Sequence, residues 1–143
     1  MQARLGGGCR RMVLTLCFLI AAFAGVAQAG GRVTLRPAQG TMKCAVRSPA
    51  LGDQSFALCV PETIGSRDQM LLNFPEVQGK LDWSGPDERG VVSTSWTTEG
   101  RISYALSLIP GRDYVDAEMT VSNLGDEVWH DVFAFNCLNP TNA

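Results

Sequence analysis

Between residues 101 and 122 the chain alternates apolar and polar side chains with a period of two, a pattern that an extended strand can split between core and solvent and a helix cannot. Ile102, Tyr104, Leu106 and Leu108 alternate with Arg101, Ser103, Ala105 and Ser107. Val115, Ala117, Met119 and Val121 alternate with Asp116, Glu118, Thr120 and Ser122. Each run predicts a strand with one buried face. Val92, Thr94 and Trp96 make a weaker version, joined to the next run through Thr98-Glu99-Gly100. Ile109-Pro110-Gly111-Arg112 places Pro and Gly at the central positions of a type II turn, and Asn123-Leu124-Gly125-Asp126 supplies the next reversal. Connections this short predict an antiparallel meander of about four strands. The fourth run, residues 128–137, is apolar on both faces: Trp129, Phe133, Phe135 and Cys137 share one with Asp131, while Val128, Val132 and Ala134 share the other with His130 and Asn136. It is expected to be central in a sandwich or to lie under another layer, covered on both sides.

Upstream, strands are expected at residues 32–36, 42–46, 56–60 and 78–84. After Ser66, the spacing to Gln69 fits a capping box for a short helix that Pro75 would end; the run Met70-Leu71-Leu72-Asn73-Phe74 fits a buried strand equally well. No tandem repeat or heptad interrupts the pattern. The fold class expected is all-β: a single antiparallel β-sandwich domain over residues 30–143, following an N-terminal signal peptide over residues 1–29. An alternative is that residues 30–143 open a longer domain truncated at the C-terminus.

The signal peptide rests on Arg4, Arg10 and Arg11, the uncharged run of residues 12–27, and Ala27-Gln28-Ala29, which have the order of n-region, h-region and small-residue cleavage site. The run is shorter than the roughly 18 residues of a spanning helix, so cleavage after Ala29 with no stable membrane anchor is expected, and a secreted or periplasmic location with it. Cleavage removes three of the twelve basic residues and none of the fourteen acidic ones, leaving nine against fourteen and a net charge of −5. That field disfavours nucleic acid and anionic lipid as partners. Cys9 and Cys17 leave with the leader, so Cys44, Cys59 and Cys137 remain. Three pairings are open in an oxidising compartment. Cys44 and Cys59, on neighbouring strands across a turn-rich segment, are the disulfide expected, with Cys137 left over.

His130 is the only histidine, and Asp131 next to it on a strand would point to the opposite face, so no catalytic dyad forms there. Asp116 and Glu118 share a strand face about 7 Å apart, near a glycosidase carboxylate separation, yet their alternation with core residues makes that face a solvated one. Asp82, Asp87 and Glu88 surround Gly85-Pro86 without the acidic spacing of an EF-hand loop. No catalytic residues, no metal site and no cofactor are predicted. Trp83, Trp96, Trp129, Tyr104 and His130 are the candidate ligand-binding residues, because exposed rings can stack on sugar faces.

The stretch Asp113-Tyr114-Val115-Asp116-Ala117-Glu118-Met119-Thr120-Val121-Ser122-Asn123-Leu124-Gly125-Asp126, with Trp129 and Asn136-Cys137-Leu138-Asn139-Pro140, resembles segments of uncharacterised secreted bacterial β-sandwich proteins. It is also similar to the strand-Asn-turn-strand passage of galactose-mutarotase-like supersandwich domains, over roughly residues 83–140. The resemblance implies a β-sandwich and a relation to carbohydrate-handling proteins. Known mutarotases are longer and use histidines with a glutamate; this chain departs from that pattern, so the activity is not carried over. The function expected is an exported, non-enzymatic β-sandwich that binds a ligand or partner, carbohydrate or envelope component. A sugar-active enzyme and a structural envelope protein are the alternatives.

Overall fold

The computed structural model describes residues 11–19, 31–52 and 54–141, which form two antiparallel sheets. One sheet runs β1 (Arg11–Leu19), β9 (Tyr114–Asn123), β8 (Ile102–Pro110), β7 (Val92–Thr98), β6 (Trp83–Ser84). The other runs β10 (Phe133–Pro140), β4 (Ser55–Gly65), β3 (Lys43–Arg47), β2 (Thr34–Pro37), with β5 (Met70–Asn73) also paired to β4. The all-β fold class is therefore as expected. Of the segment expected as a leader, only Arg11–Leu19 is described, as the strand beside β9; residues 1–10 and 20–30, with the expected cleavage position, lie outside the described residues.

The period-two runs form as the alternation dictates. Tyr104 faces Val121, Leu106 faces Met119 and Leu108 faces Ala117 across β8 and β9, so apolar side chains meet pair by pair on one face. All of them are buried, in a single cluster that also takes Leu35, Cys44, Val46, Leu58, Val60 and Ile64 from the second sheet. Each large aliphatic side chain so buried contributes about 1.5–3 kcal/mol, which is why the pattern overrides local propensity. β4 is the organiser of its sheet: β10 lines one edge along most of its length, while β3 and β5 share the other.

Three local expectations are corrected. The turn after β8 forms at Gly111–Tyr114, where the Gly111 N–H donates to the Tyr114 carbonyl at 2.8 Å, and Pro110 is the last strand residue, opposite Val115. The Tyr114 ring occupies the space a side chain at Gly111 would need, which favours the reversal there. Of the two readings of the run from Met70 the strand is the one that forms, and what is corrected is Pro75, which opens rather than ends the short helix α1 (Phe74–Val77). Proline suits the first turn, where no helical N–H partner is lost, and the Asn73 carboxamide oxygen caps that turn by accepting from the Glu76 N–H at 3.1 Å.

The third correction matters most for function. The run expected as a central fourth strand of the meander shortens to β10 and joins the other sheet at its edge. In the full chain β9 has β8 on one side and β1 on the other. The chain turns away after Asn123, whose side chain donates to the Glu127 carbonyl at 2.6 Å and accepts from the Gly125 N–H at 2.9 Å. Trp129 then enters the core, and β10 begins four residues later against β4.

Candidate functional site

β10 pairs with β4 on one side, and no strand of the described residues covers its other side. An edge of this kind carries a row of backbone N–H and C=O groups free to pair with another chain. Alternation sorts its side chains: Ala134 packs on the core, and Phe133 and Phe135 turn outward at 49% and 57% exposure. Phe133 lies opposite Gly65 and Phe135 opposite Thr63. A Cβ at Gly65 would run into the Phe133 ring, so the glycine is what lets this aromatic lie against the β4 backbone. Leu138, further along, is also exposed. The edge thus offers main-chain pairing beside two apolar rings spaced two residues apart, the geometry that strand addition uses.

The aromatic residues singled out from the sequence lie elsewhere. Trp83, Tyr104 and Trp129 are 6%, 2% and 8% exposed and belong to the core cluster, which leaves no ring face for a ligand to stack on. Trp83 is held structurally: its indole N–H donates to the Thr41 carbonyl at 2.7 Å, and the Gln39 side chain donates to its carbonyl and accepts from its N–H, both at 2.9 Å. Tyr104 Oη is buried with no hydrogen-bond partner among the described residues, and burial holds its phenol above the usual range.

Trp96 is half-buried in a polar corner. The Lys80 ammonium sits 5.8 Å from the centre of its ring, and its indole N–H donates to Thr98 Oγ1 at 3.1 Å. Thr98 Oγ1 donates to Glu76 Oε1 at 3.4 Å, and the Arg101 guanidinium reaches the same oxygen at 3.3 Å. His130 is exposed; its carbonyl accepts from the Arg67 N–H at 2.9 Å, and the Arg67 guanidinium pairs with Asp131. The five candidate residues are therefore divided among the core, this corner and a surface loop.

The acidic groups weighed for metal or acid–base chemistry are committed to the fold or face solvent. Asp87 Oδ1 accepts from the Val91 and Arg89 N–H groups, each at 2.8 Å, and these bonds, Val91 foremost, hold its carboxyl below the usual range. Glu118 is exposed on β9, with Asp116 half-buried two residues before it. Among the described residues no three His, Cys, Asp or Glu side chains gather as metal ligands. On the outer face of β2, β3 and β4 a shallow open depression of about 270 Å³ is lined by Thr34, Arg36, Ala45, Arg47 and Ser55. Its walls are exposed strand side chains without a buried polar anchor.

Cys44, Cys59 and Cys137 are free thiols in this structure. Cys44 lies opposite Leu58 in the core, whereas Cys59 lies opposite Lys43 on one side and Cys137 on the other. Burial pushes the Cys44 thiol up to about 12 and, with smaller contributions from Glu62 and Cys59, the Cys137 thiol up to about 11. Such thiols are protonated at neutral pH and are poor nucleophiles for catalysis.

Compared with known protein families, with curated proteins and with solved structures, the chain matches none. Sequence reasoning missed Phe133 and Phe135 as surface residues, because outward alternation of aromatics and inward alternation look alike until the strand has a place in the sheet.

Proposed function

We propose that residues 30–143 form an exported, non-enzymatic β-sandwich whose β10 edge takes up an extended segment of a protein partner in the periplasm or at the cell surface. One observation carries it: Phe133 and Phe135 stand exposed beside a strand edge that no strand of the described residues pairs with. Two neighbouring exposed aromatic rings on a free edge make an aggregation hazard unless a partner uses them. A core drawn from both sheets supports the face-to-face layering of a sandwich. Removal of a leader ending at Ala29 would also uncover the outer edge of β9, where Tyr114 is the exposed aromatic; β10 has two, in register with β4.

The test is selection of extended peptides from a displayed library against the processed protein, followed by the variant Phe133→Ser/Phe135→Ser. Selected peptides should lose affinity for it by tenfold or more, about 1.4 kcal/mol or greater, with the unfolding midpoint retained. Peptides that bind both proteins equally, or a library that yields none, would refute the assignment. A carbohydrate reading is favoured by one feature, the half-open Trp96 ring among Glu76, Lys80, Thr98 and Arg101. Glycan-array signals that vanish in Trp96→Ala support it, and an array at background removes it.

A further inference from the structure

We propose that Cys59 and Cys137 are a disulfide-forming pair that staples β10 to β4. The two residues are directly opposed partners in the antiparallel pair, and alternation puts both side chains on the face away from the core cluster. Opposed residues in such a pair have Cα atoms about 4.5–5.5 Å apart, inside the 4.4–6.8 Å that a disulfide spans. The two thiols lie close enough for each to perturb the ionisation of the other. Cys44 is excluded from this pair by the same register: it opposes Leu58, one residue off, and so points into the core, while Cys59 points outward beside Lys43. The pairing expected from sequence spacing, Cys44 with Cys59, would have to cross the sheet.

The surroundings fit oxidation by thiol–disulfide exchange with a disulfide donor. Cys137, the more exposed of the two, carries an Asn139 amide N–H donated to its sulfur at 3.3 Å and contacts the Glu62 side chain. Its thiolate attacks one sulfur of the donor disulfide, breaking the donor S–S bond and releasing one donor thiolate. The Cys59 thiolate then attacks Cys137 Sγ of the mixed disulfide and releases the second. Two electrons pass to the donor, and the protons lost by Cys59 and Cys137 are taken up by the two donor thiolates. Burial that raises both thiols above the usual range slows the first attack at neutral pH. It also makes either cysteine a poor leaving group, so the finished bond resists reduction. The loop closed, from residue 59 to 137, spans more than half the chain, the regime in which a cross-link restricts the unfolded state most.

The experiment uses the full chain, reduced and then exposed to oxidised glutathione at mildly alkaline pH. Trypsin places Cys44, Cys59 and Cys137 in separate peptides, 44–47, 48–67 and 113–143. A non-reducing digest should contain 48–67 joined to 113–143, in wild type and in Cys44→Ala alike. The oxidised protein should unfold at a urea midpoint higher by roughly 1 M or more than the reduced one, a shift absent in Cys137→Ser. A link between 44–47 and 48–67, a link from 113–143 to any other cysteine, or unlinked peptides after oxidation would each overturn the proposal. These outcomes do not depend on what binds the β10 edge, so failure here and failure of the partner-binding reading are distinguishable.

Discussion

Tyr104→Phe should leave the protein as stable as wild type or make it more stable, the reverse of the usual result for a buried tyrosine. Tyr104 sits on β8 between Trp96 of β7 and Val121 of β9, almost wholly buried, and its hydroxyl has no partner among the described residues. A buried hydroxyl left unpaired costs about 1–3 kcal/mol of desolvation, which phenylalanine does not incur. Against that stands the void left by one oxygen, worth a few tenths of a kcal/mol at about 24 cal/mol per Å³. The balance is a gain of about 1–2 kcal/mol, or a rise in Tm of roughly 5 °C for a domain of this size. Urea denaturation followed by tryptophan fluorescence reads it directly, because m should stay constant while the midpoint moves up. Leu106→Ala, two residues along on the same buried face, serves as the contrast and should lose about 2–5 kcal/mol. A loss above about 1 kcal/mol in Tyr104→Phe would refute the reasoning, since the hydroxyl would then have to be held by a bond.

Alkali should destabilise the reduced protein through Cys44. Its folded pKa of about 12 lies above the unfolded value of 9.0, so the contribution is complete below pH 9 and is lost as pH rises toward 12, at up to about 1.4 kcal/mol per unit. Urea midpoints measured across that range should fall less steeply in Cys44→Ala. Asp87 behaves with the opposite sign: its carboxyl is lowered in the fold, so its contribution is present above the unfolded value of 3.8 and disappears as pH falls through the lowered one. Asp87→Ala should therefore be less stable than wild type near neutrality, and the difference should close in acid titrations. Asn73→Ala removes the cap of α1 and should cost about 1 kcal/mol, read as a lower thermal midpoint. An unchanged midpoint would show that the cap adds nothing to the turn.

The strands whose two faces differ in polarity were legible because burial acts on every second side chain; β8 and β9 fall where the alternation of Ile102 to Leu108 and Val115 to Val121 places them. Less was legible where a residue's role depends on a neighbour distant in sequence. Pro110 remains in a strand because Val115 pairs with it, and Pro75 opens a helix because Asn73 caps it. Phe133 and Phe135 look like core residues in a linear pattern and become surface residues because β10 pairs along the edge of β4 and not with β9. The same non-local pairing decides the cysteines: sequence separation favours Cys44 with Cys59, and register places Cys137 opposite Cys59. Trp83, Tyr104 and Trp129 show the converse, since a large ring on a strand gains most by burial and composition does not reveal which ring stays out.

Amide hydrogen exchange along β10, read residue by residue by NMR on the monomeric protein, tests the central claim most directly. An edge strand bonded to β4 on one side alone should show slow and fast amides in alternation on either side of the register shift between Phe135 and Cys137, with cross-strand contacts from Cys137 to Cys59 and from Phe133 to Gly65. Uniform protection along β10, or cross-strand contacts from it to β9, would contradict the account.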